Sequence, residues 1–391
     1  MALTKVTSGV RTLGTGEVVT ANIADDDVTA AKMADDAVGI AQLSATGTAD
    51  ATTFLRGDNS WQVAGSSTFQ TITLDGTIEG SPAAGDIWYN DTDGKFYLGT
   101  SATLGSIWSS GGNMLIAHSN AASAGTQTAG LCMGGYTGSY LDETEEYNGT
   151  AWSAGGDLSV TRYGLGGCGT QTAGLCMGGY LAPDLKVLTE EYNGTAWSSG
   201  GDLAVAIYYV GAAGTQTAGL TFCGRHSPTN SDKSQEYDGS SWSAGGDLSA
   251  AKNSVGGTGT QAAGLCFGGN ISGTVQSVTE EYNGTSWSSG GALGTAVQNV
   301  GSVGLQTAAL CIGGVTNDST GDDTAVTQEY NGTAWSYGGN ISVARSALRG
   351  AGTQAAGLCM GGVSGSYYNT TEEYGVNYGS YDELFSATGD L

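Results

Sequence analysis

From about residue 105 onward, the chain consists of short apolar runs separated by glycine and by polar turn residues. One stretch reads “RYGLGGCG”, then “AGLCMGGY”, then “VLTEEY” and then “AWSSG”. Short runs rich in Val, Leu, Tyr and Trp, bounded by Gly, Asn and Thr, are typical of β-strands. The pattern therefore predicts a unit of four short antiparallel strands.

This four-strand unit recurs along the chain. “EEYNGTAWSAGGDL”, which starts at Glu145, returns almost unchanged at Glu190 and Glu280. The tryptophans Trp108, Trp152, Trp197, Trp242, Trp287 and Trp335 are separated by 44, 45, 45, 45 and 48 residues. A four-stranded meander with this period is typical of a β-propeller blade, which stacks on its neighbours because one blade alone is marginally stable.

The connection between the last two strands of each unit carries a turn signal. Asn193 and Gly194 occupy it in one unit, and Asp238 and Gly239 in the next. Asn-Gly between aromatic strands favours a two-residue type I′ hairpin, in which both central residues have positive φ. We interpret sequons such as that at Asn148 as the same turn chemistry, not as glycosylation sites.

A double glycine after an apolar strand, followed by Tyr and then by Trp five residues later, resembles the kelch repeat. The resemblance covers Trp108 to about Tyr378 and implies a ring of blades. The third unit reads “LTFCGRH”, with Cys223 and Gly224 in place of the glycine pair, so we expect that blade to be present but locally distorted.

The strand count predicts how the ring closes. There are six “AGL..GG”-type strands, and the last unit ends at “NTTEEYGVNYG” with no Trp strand after it. The first Trp strand, “SIWSSGGNM”, has no unit before it. We therefore predict an all-β fold with six blades at residues 105–378, the sixth completed by the strand around Trp108, which removes the open edges.

The front of the chain has a different pattern. Apolar residues recur every five positions, at Val18, Ile23, Val28, Met33, Val38 and Leu43. This spacing suits neither a helix nor a strand. Two structures accept it: a pentapeptide-type β-helix and an extended stalk of three chains, which we favour. The predicted division is a trimeric attachment stalk at 1–45, small β-hairpin modules at 46–104, the ring at 105–378 and a tail at 379–391.

Most of residues 3–100 resembles the tail-fibre proteins of marine bacteriophages. “LTKVTSGVRTLGTGEVVTANIADDDVTAAKMADDAVG” and “LSATGTADATTFLRGDNSWQ” carry this resemblance. “GDIWYNDTDGKFYLGT” resembles a phage-fibre hairpin module with its turn at Asp93-Gly94. The resemblance implies a homotrimer that attaches to virion tail proteins through residues 1–45, and a location in the virion tail after folding in the host cytoplasm.

Charge excludes some partners. The chain has 37 acidic and 12 basic residues, a formal net charge of −25. Binding to nucleic acid and to anionic lipid both need clusters of Lys and Arg, so we expect neither. We expect no membrane insertion, since no run of about 18 apolar residues exists, and no secretory signal, since “MALTKVTSGVRTLG” has no apolar core.

The seven cysteines, five of them in equivalent repeat positions, are interpreted as buried unpaired residues.

We find no catalytic constellation and predict neither an enzyme nor a cofactor. The two histidines, His118 and His226, belong to different units, which argues against a copper site. The carboxylates Glu145 and Glu146 recur in several units, which indicates a structural role instead of a glycosidase pair. Runs such as Asp25–Asp27 lack the spacing of a calcium loop, so we assign no metal.

Variation is concentrated in two sets of segments, the loops after the glycine pairs and the connections between blades. In a four-stranded meander these segments share a face, and binding residues commonly lie in loops on a rigid scaffold. The candidate binding residues there are Tyr136, Tyr140, Arg162, Tyr163, Tyr180, Tyr208, Tyr209, Arg225, His226, Lys252, Arg345, Tyr367 and Tyr368. Exposed Tyr suits both sugars and proteins.

These observations predict a phage tail fibre that displays the ring outward to bind a host-surface glycan or protein. Two alternatives stay open. One is a purely structural virion component whose ring packs on other tail or capsid proteins. The other is a polysaccharide depolymerase.

Overall fold

The computed structural model describes residues 106–376 except residue 320, together with strands at 53–55, 61–63, 87–90, 95–99 and 381–386. The chain divides into two compact units, residues 1–102 with 380–391, and residues 103–379. The predicted stalk, its five-residue periodicity and its acidic runs lie outside the described residues. No helix in the described part of the chain is long and apolar enough to cross a membrane.

The second unit contains six antiparallel sheets of four strands each, so the prediction of an all-β six-bladed propeller is confirmed. The strands of each blade are named inner, second, third and outer. Blade 1 contains Ala122–Thr126, Ala129–Tyr136, Tyr140–Tyr147 and Trp152–Ala154; blade 2 contains Gly166–Thr170, Ala173–Met177, Thr189–Tyr192 and Trp197–Ser199; blade 3 contains Gly211–Thr215, Ala218–Phe222, Ser234–Tyr237 and Trp242–Ala244. Blade 4 contains Gly256–Thr260, Ala263–Phe267, Thr279–Tyr282 and Trp287–Ser289; blade 5 contains Gly301–Leu305, Ala308–Ile312, Thr327–Tyr330 and Trp335–Tyr337; blade 6 contains Arg349–Gly352, Gly357–Met360, Thr371–Val376 and Ser106–Ser110.

Ring closure follows the prediction. The outer strand of blade 6 is Ser106–Ser110, which pairs antiparallel with Thr371–Val376 and sets Trp108 opposite Tyr374. The two rings lie 4.8 Å apart. The chain ends of the propeller are therefore joined by five paired residues, and blade 6 has four strands like the other blades.

The repeated “EEY” joins each blade to the one before it through the tyrosine. Tyr192 is 1% exposed, and its hydroxyl donates to Glu146 of blade 1 at 2.6 Å. The same bond recurs around the whole ring. Its other members are Tyr147–Glu373, Tyr237–Glu191, Tyr282–Glu236, Tyr330–Glu281 and Tyr374–Glu329. We call these six bonds the tyrosine belt, which closes on itself between blades 6 and 1.

A second circle runs through the backbone where each connection enters an inner strand. Each connection has one residue with positive φ at this point. The backbone N–H of that residue donates to the backbone carbonyl of the equivalent residue in the preceding connection, at 2.7–3.0 Å. The six residues are Asn120, Gly164, Tyr209, Ser254, Asn299 and Ala347. This connector belt is closed, because Asn120 donates to Ala347.

The first acid of the “EEY” triplet holds the connection that enters its blade. In blade 4, one oxygen of Glu280 accepts the backbone N–H of Ser249 and the other pairs with Lys252 at 2.5 Å. Equivalent buried pairs are His118–Glu145, Arg162–Glu190 and Arg345–Glu372. In blades 3 and 5 the cation is replaced by Ile207 or Val297, and the acid by Gln235 or Gln328. Each blade thus has either both partners of the pair or neither, because one buried charge without its partner would destabilise the fold.

The third blade has the regular register, contrary to the expected distortion. Cys223 and Gly224 adopt φ values of 56° and 101°, close to the 66° and 102° of Gly178 and Gly179 in blade 2. The left-handed backbone strain expected for a non-glycine residue therefore falls on Cys223 alone, and the blade keeps its shape.

The expected two-residue turn is wrong. Tyr192 pairs with Trp197, so the loop has four residues, 193–196, and of these only Gly194 has positive φ, at 88°. The Oδ1 of Asn193 accepts the backbone N–H groups of Thr195 and Ala196 at 3.0 and 2.9 Å. Asn suits this position because its side-chain oxygen accepts two backbone N–H groups of the loop. Asp238 accepts the equivalent two N–H groups in blade 3.

The first unit contains two described sheets. Thr53–Leu55 pairs with Trp61–Val63, and Ile87–Asn90 pairs with Lys95–Gly99, so the fibre-like hairpin forms. Its turn at 91–94 lies outside the described residues. Tyr381–Ser386 adds a third strand beside Lys95–Gly99. The segment 379–391, which was predicted only as a tail, therefore contributes a strand to the sheet formed by residues 87–99, far away in the sequence.

The cysteine interpretation is confirmed, since all seven are unpaired and buried. Burial raises the pKa of Cys168, Cys176 and Cys359 to about 12, which keeps these thiols protonated and unreactive near neutral pH.

The covariation of cation and acid predicts a double-mutant result. Lys252→Ile alone leaves Glu280 buried without a cation and should destabilise the protein by about 3–5 kcal/mol. Lys252→Ile with Glu280→Gln reproduces the Ile207–Gln235 pair of blade 3 and should recover most of that loss in urea unfolding. Simple additivity of the two single changes would contradict this explanation.

The tyrosine belt predicts loss of stability in alkali. Burial, and secondly the hydrogen bond to Glu146, raises the pKa of Tyr192 to about 12. The pKa of a tyrosine in the unfolded chain is about 10. The native state holds these protons more tightly, so its stability is fully present below about pH 10 and falls as pH rises to about 12. The urea midpoint should decline steeply in this window.

Tyr192→Phe tests the cause of that decline, because it removes one titrating hydroxyl and should make the slope with pH shallower. Tyr337→Phe is the matched control, since Tyr337 is 64% exposed and outside the belt. Equal slopes in the two variants would show that the belt does not cause the alkaline loss.

Candidate functional site: the loop face

One face of the propeller is formed by two sets of segments, the loops between second and third strands and the connections between blades. Each connection forms an isolated β-bridge with the loop of the blade it enters. The bridges are Ser119–Tyr136, Tyr163–Tyr180, Tyr208–Arg225, Asn253–Asn270, Gln298–Val315 and Ser346–Val363. We call this surface the loop face. Short hairpins lengthen four of its loops, at 180–185, 225–230, 270–275 and 363–367.

Seven tyrosines form a continuous cluster on this face. The centroids of neighbouring rings lie 4.6–6.3 Å apart, and the cluster extends from blade 6 across blades 1 and 2 to blade 3. Six are half-buried, and Tyr367 at one end is 39% exposed. The members of this tyrosine cluster are Tyr367, Tyr136, Tyr140, Tyr163, Tyr180, Tyr208 and Tyr209.

Tyr163 is the centre of the cluster. Its ring contacts five of the other six, stacking on Tyr140 at 5.6 Å and meeting Tyr180 edge-on at 5.7 Å. Burial raises the pKa of Tyr163 and also that of Tyr209, which shares a side-chain hydrogen bond with Tyr163. These two hydroxyls therefore stay protonated at physiological pH, and the ring contacts of the cluster form a preformed aromatic surface.

An amide-rich cleft of 640 Å³ borders the cluster over blades 3 to 5. Its lining includes Tyr209 and Arg225 at one side and Asp318 at the other. The amides between them are Asn230, Asn253, Asn270, Gln298 and Asn299. Asn253, Asn270 and Gln298 occupy the connection and loop positions that Tyr163, Tyr180 and Tyr208 occupy in blades 2 and 3, so the loop face has an aromatic sector and an amide sector.

The cleft is held in shape by its own side chains. Asn253 donates to the Oδ1 of Asn230 at 2.6 Å, and Gln298 donates to the Oδ1 of Asp318 at 2.7 Å. Ser254 donates to the Oδ1 of Asn253 at 2.8 Å. These bonds fix the orientation of the amides and of Asp318, and amide and carboxylate groups suit recognition of hydroxyl groups.

The structure divides the predicted binding residues into four groups. The seven tyrosines of the cluster come together, although they lie up to 231 positions apart between Tyr136 and Tyr367. Arg225 and His226 are exposed on the blade 3 hairpin beside them. Tyr368 covers the buried Arg345, 5.8 Å from its guanidinium carbon, and lies apart from the cluster.

Arg162, Lys252 and Arg345 are not on the surface. They are 0%, 1% and 0% exposed, because each turns inward to the first glutamate of the blade it enters. Their expected exposure was wrong. The sequence held the signal, since these cations alternate with Ile or Val in step with the change from Glu to Gln.

The amide residues of the cleft were absent from the predicted set. Their signal was positional: Asn253, Asn270 and Gln298 take the repeat positions that Tyr163, Tyr180 and their equivalents take elsewhere. Neutral amides are common turn residues, so their residue type alone does not indicate a binding surface.

The arrangement offers stacking and hydrogen bonding. Within the described part of the chain, no group of three or more His, Cys, Asp or Glu side chains could hold a metal ion. Tyrosine faces can stack on the apolar faces of sugar rings, and amides and a carboxylate can bind their hydroxyls. The cleft falls within the roughly 300–1,000 Å³ of ligand pockets.

Comparison with known proteins gives no family. The sequence matches no protein-family model, and no curated protein matches it.

Proposed function

We propose that this protein is a bacteriophage tail-fibre adhesin that attaches to the virion through residues 1–45 and uses the loop face of its propeller to bind a glycan of the host surface. The observation that carries the proposal is the adjacency of the tyrosine cluster and the amide cleft on one rigid face. The fibre-like sequence of residues 3–100 supports its place in a virion tail.

A glycan suits this surface better than a nucleic acid or a lipid surface. The amide sector offers neutral hydrogen-bonding groups, and the tyrosine cluster offers rings for stacking at low conformational cost. Few cations are free to face a polyanion, since Arg162, Lys252 and Arg345 are used in buried pairs. Neutral hexose units of a surface polysaccharide therefore fit best.

The action is adhesion without catalysis. Single sugar contacts are weak, and three propellers on one trimeric stalk would bind a repeating polysaccharide with avidity. The protein acts in the virion tail after folding in the host cytoplasm, and no cofactor enters the proposal.

Binding of the full-length protein to an array of bacterial surface glycans tests this function. Tyr163→Ala removes the centre of the tyrosine cluster and should weaken binding about tenfold, in line with the loss of aromatic contacts of roughly 0.5–1.5 kcal/mol. Asn299→Ala removes an amide from the cleft and should also weaken binding. The connector belt should tolerate this substitution, because alanine is present at the equivalent position of blade 6, where Ala347 has a φ of 55°.

Tyr337→Ala is the control for these variants, since it removes an exposed tyrosine from the outer strand of blade 5 and should leave binding unchanged. Absence of glycan binding by the unaltered protein would favour a structural role in the particle. Loss of viscosity of a host polysaccharide would favour a depolymerase.

The proposed stalk makes a separate prediction about assembly. Sedimentation equilibrium of the full-length protein should give three times the chain mass of 39.2 kDa. A single-chain mass would remove the avidity from the proposed mechanism, while binding by one propeller would still be measured by the array.

A further inference from the structure

The six inner strands surround an axial channel, and adjacent strands approach closely. The second residue of each is alternately a residue with a β-carbon and glycine: Ser123, Gly167, Ala212, Gly257, Ser302 and Gly350. A β-carbon at Gly257 would lie 2.7 Å from the backbone nitrogen of Ala212. The channel is consequently narrow, with a volume of 190 Å³.

Arg349 lines this channel where the inner strand of blade 6 begins. The equivalent residue is Gly166, Gly211, Gly256 or Gly301 in blades 2 to 5, and Ala122 in blade 1. Its Nε donates to the carbonyl of Ala121 at 2.5 Å, and its Nη1 to the carbonyl of Leu348 at 2.9 Å. Nη2 makes no hydrogen bond within the described residues, so part of the guanidinium is open to the channel.

Arg349 differs from the other inward-turned cations in its electrostatics. Arg162, Lys252 and Arg345 each pair with a glutamate, whereas no carboxylate of the described residues lies within 4.0 Å of Arg349. Burial lowers the pKa of its guanidinium to about 10, and only a cysteine and the Tyr209 hydroxyl act against that shift. The positive charge is desolvated without a compensating acid.

We infer that the mouth of the axial channel at Arg349 binds a small oxyanion, a carboxylate or a phosphate group. Guanidinium groups bind these anions through paired N–H groups. The channel volume lies below the roughly 300–1,000 Å³ of pockets that enclose larger ligands. It accepts a free ion, or one acidic substituent of a molecule lying on the loop face, close to Tyr209.

Thermal unfolding of the full-length protein in rising inorganic phosphate, at constant ionic strength set with chloride, tests the site. The midpoint should rise saturably with phosphate. Arg349→Gly restores the residue of four other blades, so the fold should survive. The apparent phosphate affinity should fall about 10- to 100-fold, the size of a lost charge-assisted bond, and Arg349→Lys should keep part of it.

Lys233→Ala is the control, because it removes an exposed cation that lines neither the cleft nor the channel and should leave the phosphate effect intact. Parallel titrations with glucuronate and glucose distinguish the sources of the acid group. A response to glucuronate that depends on Arg349, with none to glucose, supports an acidic sugar, and a response to phosphate alone supports a free ion. Equal responses of the unaltered protein and Arg349→Gly would overturn the inference.

Discussion

Closed circles of hydrogen bonds between neighbouring blades are the constraint on which this structure depends. The tyrosine belt and the connector belt each pass through all six blades and return to their starting point. A third set runs parallel to them, in which Gln171 and its equivalents donate to two backbone carbonyls of the preceding blade. Each circle closes only if blade 6 meets blade 1, and that contact exists because Ser106–Ser110 completes blade 6. A marginally stable four-stranded unit becomes a rigid scaffold through closure.

Rigidity and repetition explain where recognition can evolve. The side chains that form the tyrosine belt and the glutamine bonds are the same in all six blades, since altering one affects two blades. The connection and loop positions on the loop face serve no circle through their side chains and differ from blade to blade. At the bridge positions, tyrosine is present as Tyr136, Tyr163, Tyr180 and Tyr208 in blades 1 to 3, and an amide is present as Asn253, Asn270 and Gln298 in blades 4 and 5. A face divided into a stacking sector and a hydrogen-bonding sector is a consequence of one scaffold carrying independent substitutions.

The few cations show how strongly tertiary context decides the role of a residue. In a chain of net charge −25, a basic residue beside tyrosines suggests an anionic partner. Three of these residues instead neutralise a glutamate one blade further on, and their charge never reaches the surface. Arg349, which no repeat pattern in the sequence marks, is a half-buried cation without such an acid, and it is therefore the one that we propose receives an external anion.

The sequence alone determined the fold of the ring, because the 45-residue period, the strand lengths and the unmatched Trp108 strand are local patterns whose only consistent assembly is six closed blades. It also showed that the cysteines and paired glutamates are structural, since they recur in every copy or nearly so. It did not determine the turn at Asn193, where the side chain, not the φ angle, selects the residue. Only the tertiary structure decided that Arg162, Lys252 and Arg345 are buried, that the seven tyrosines touch, and that a cleft lined by amides borders them. These properties depend on which residues of different blades meet across the ring, and that information is absent from any single repeat.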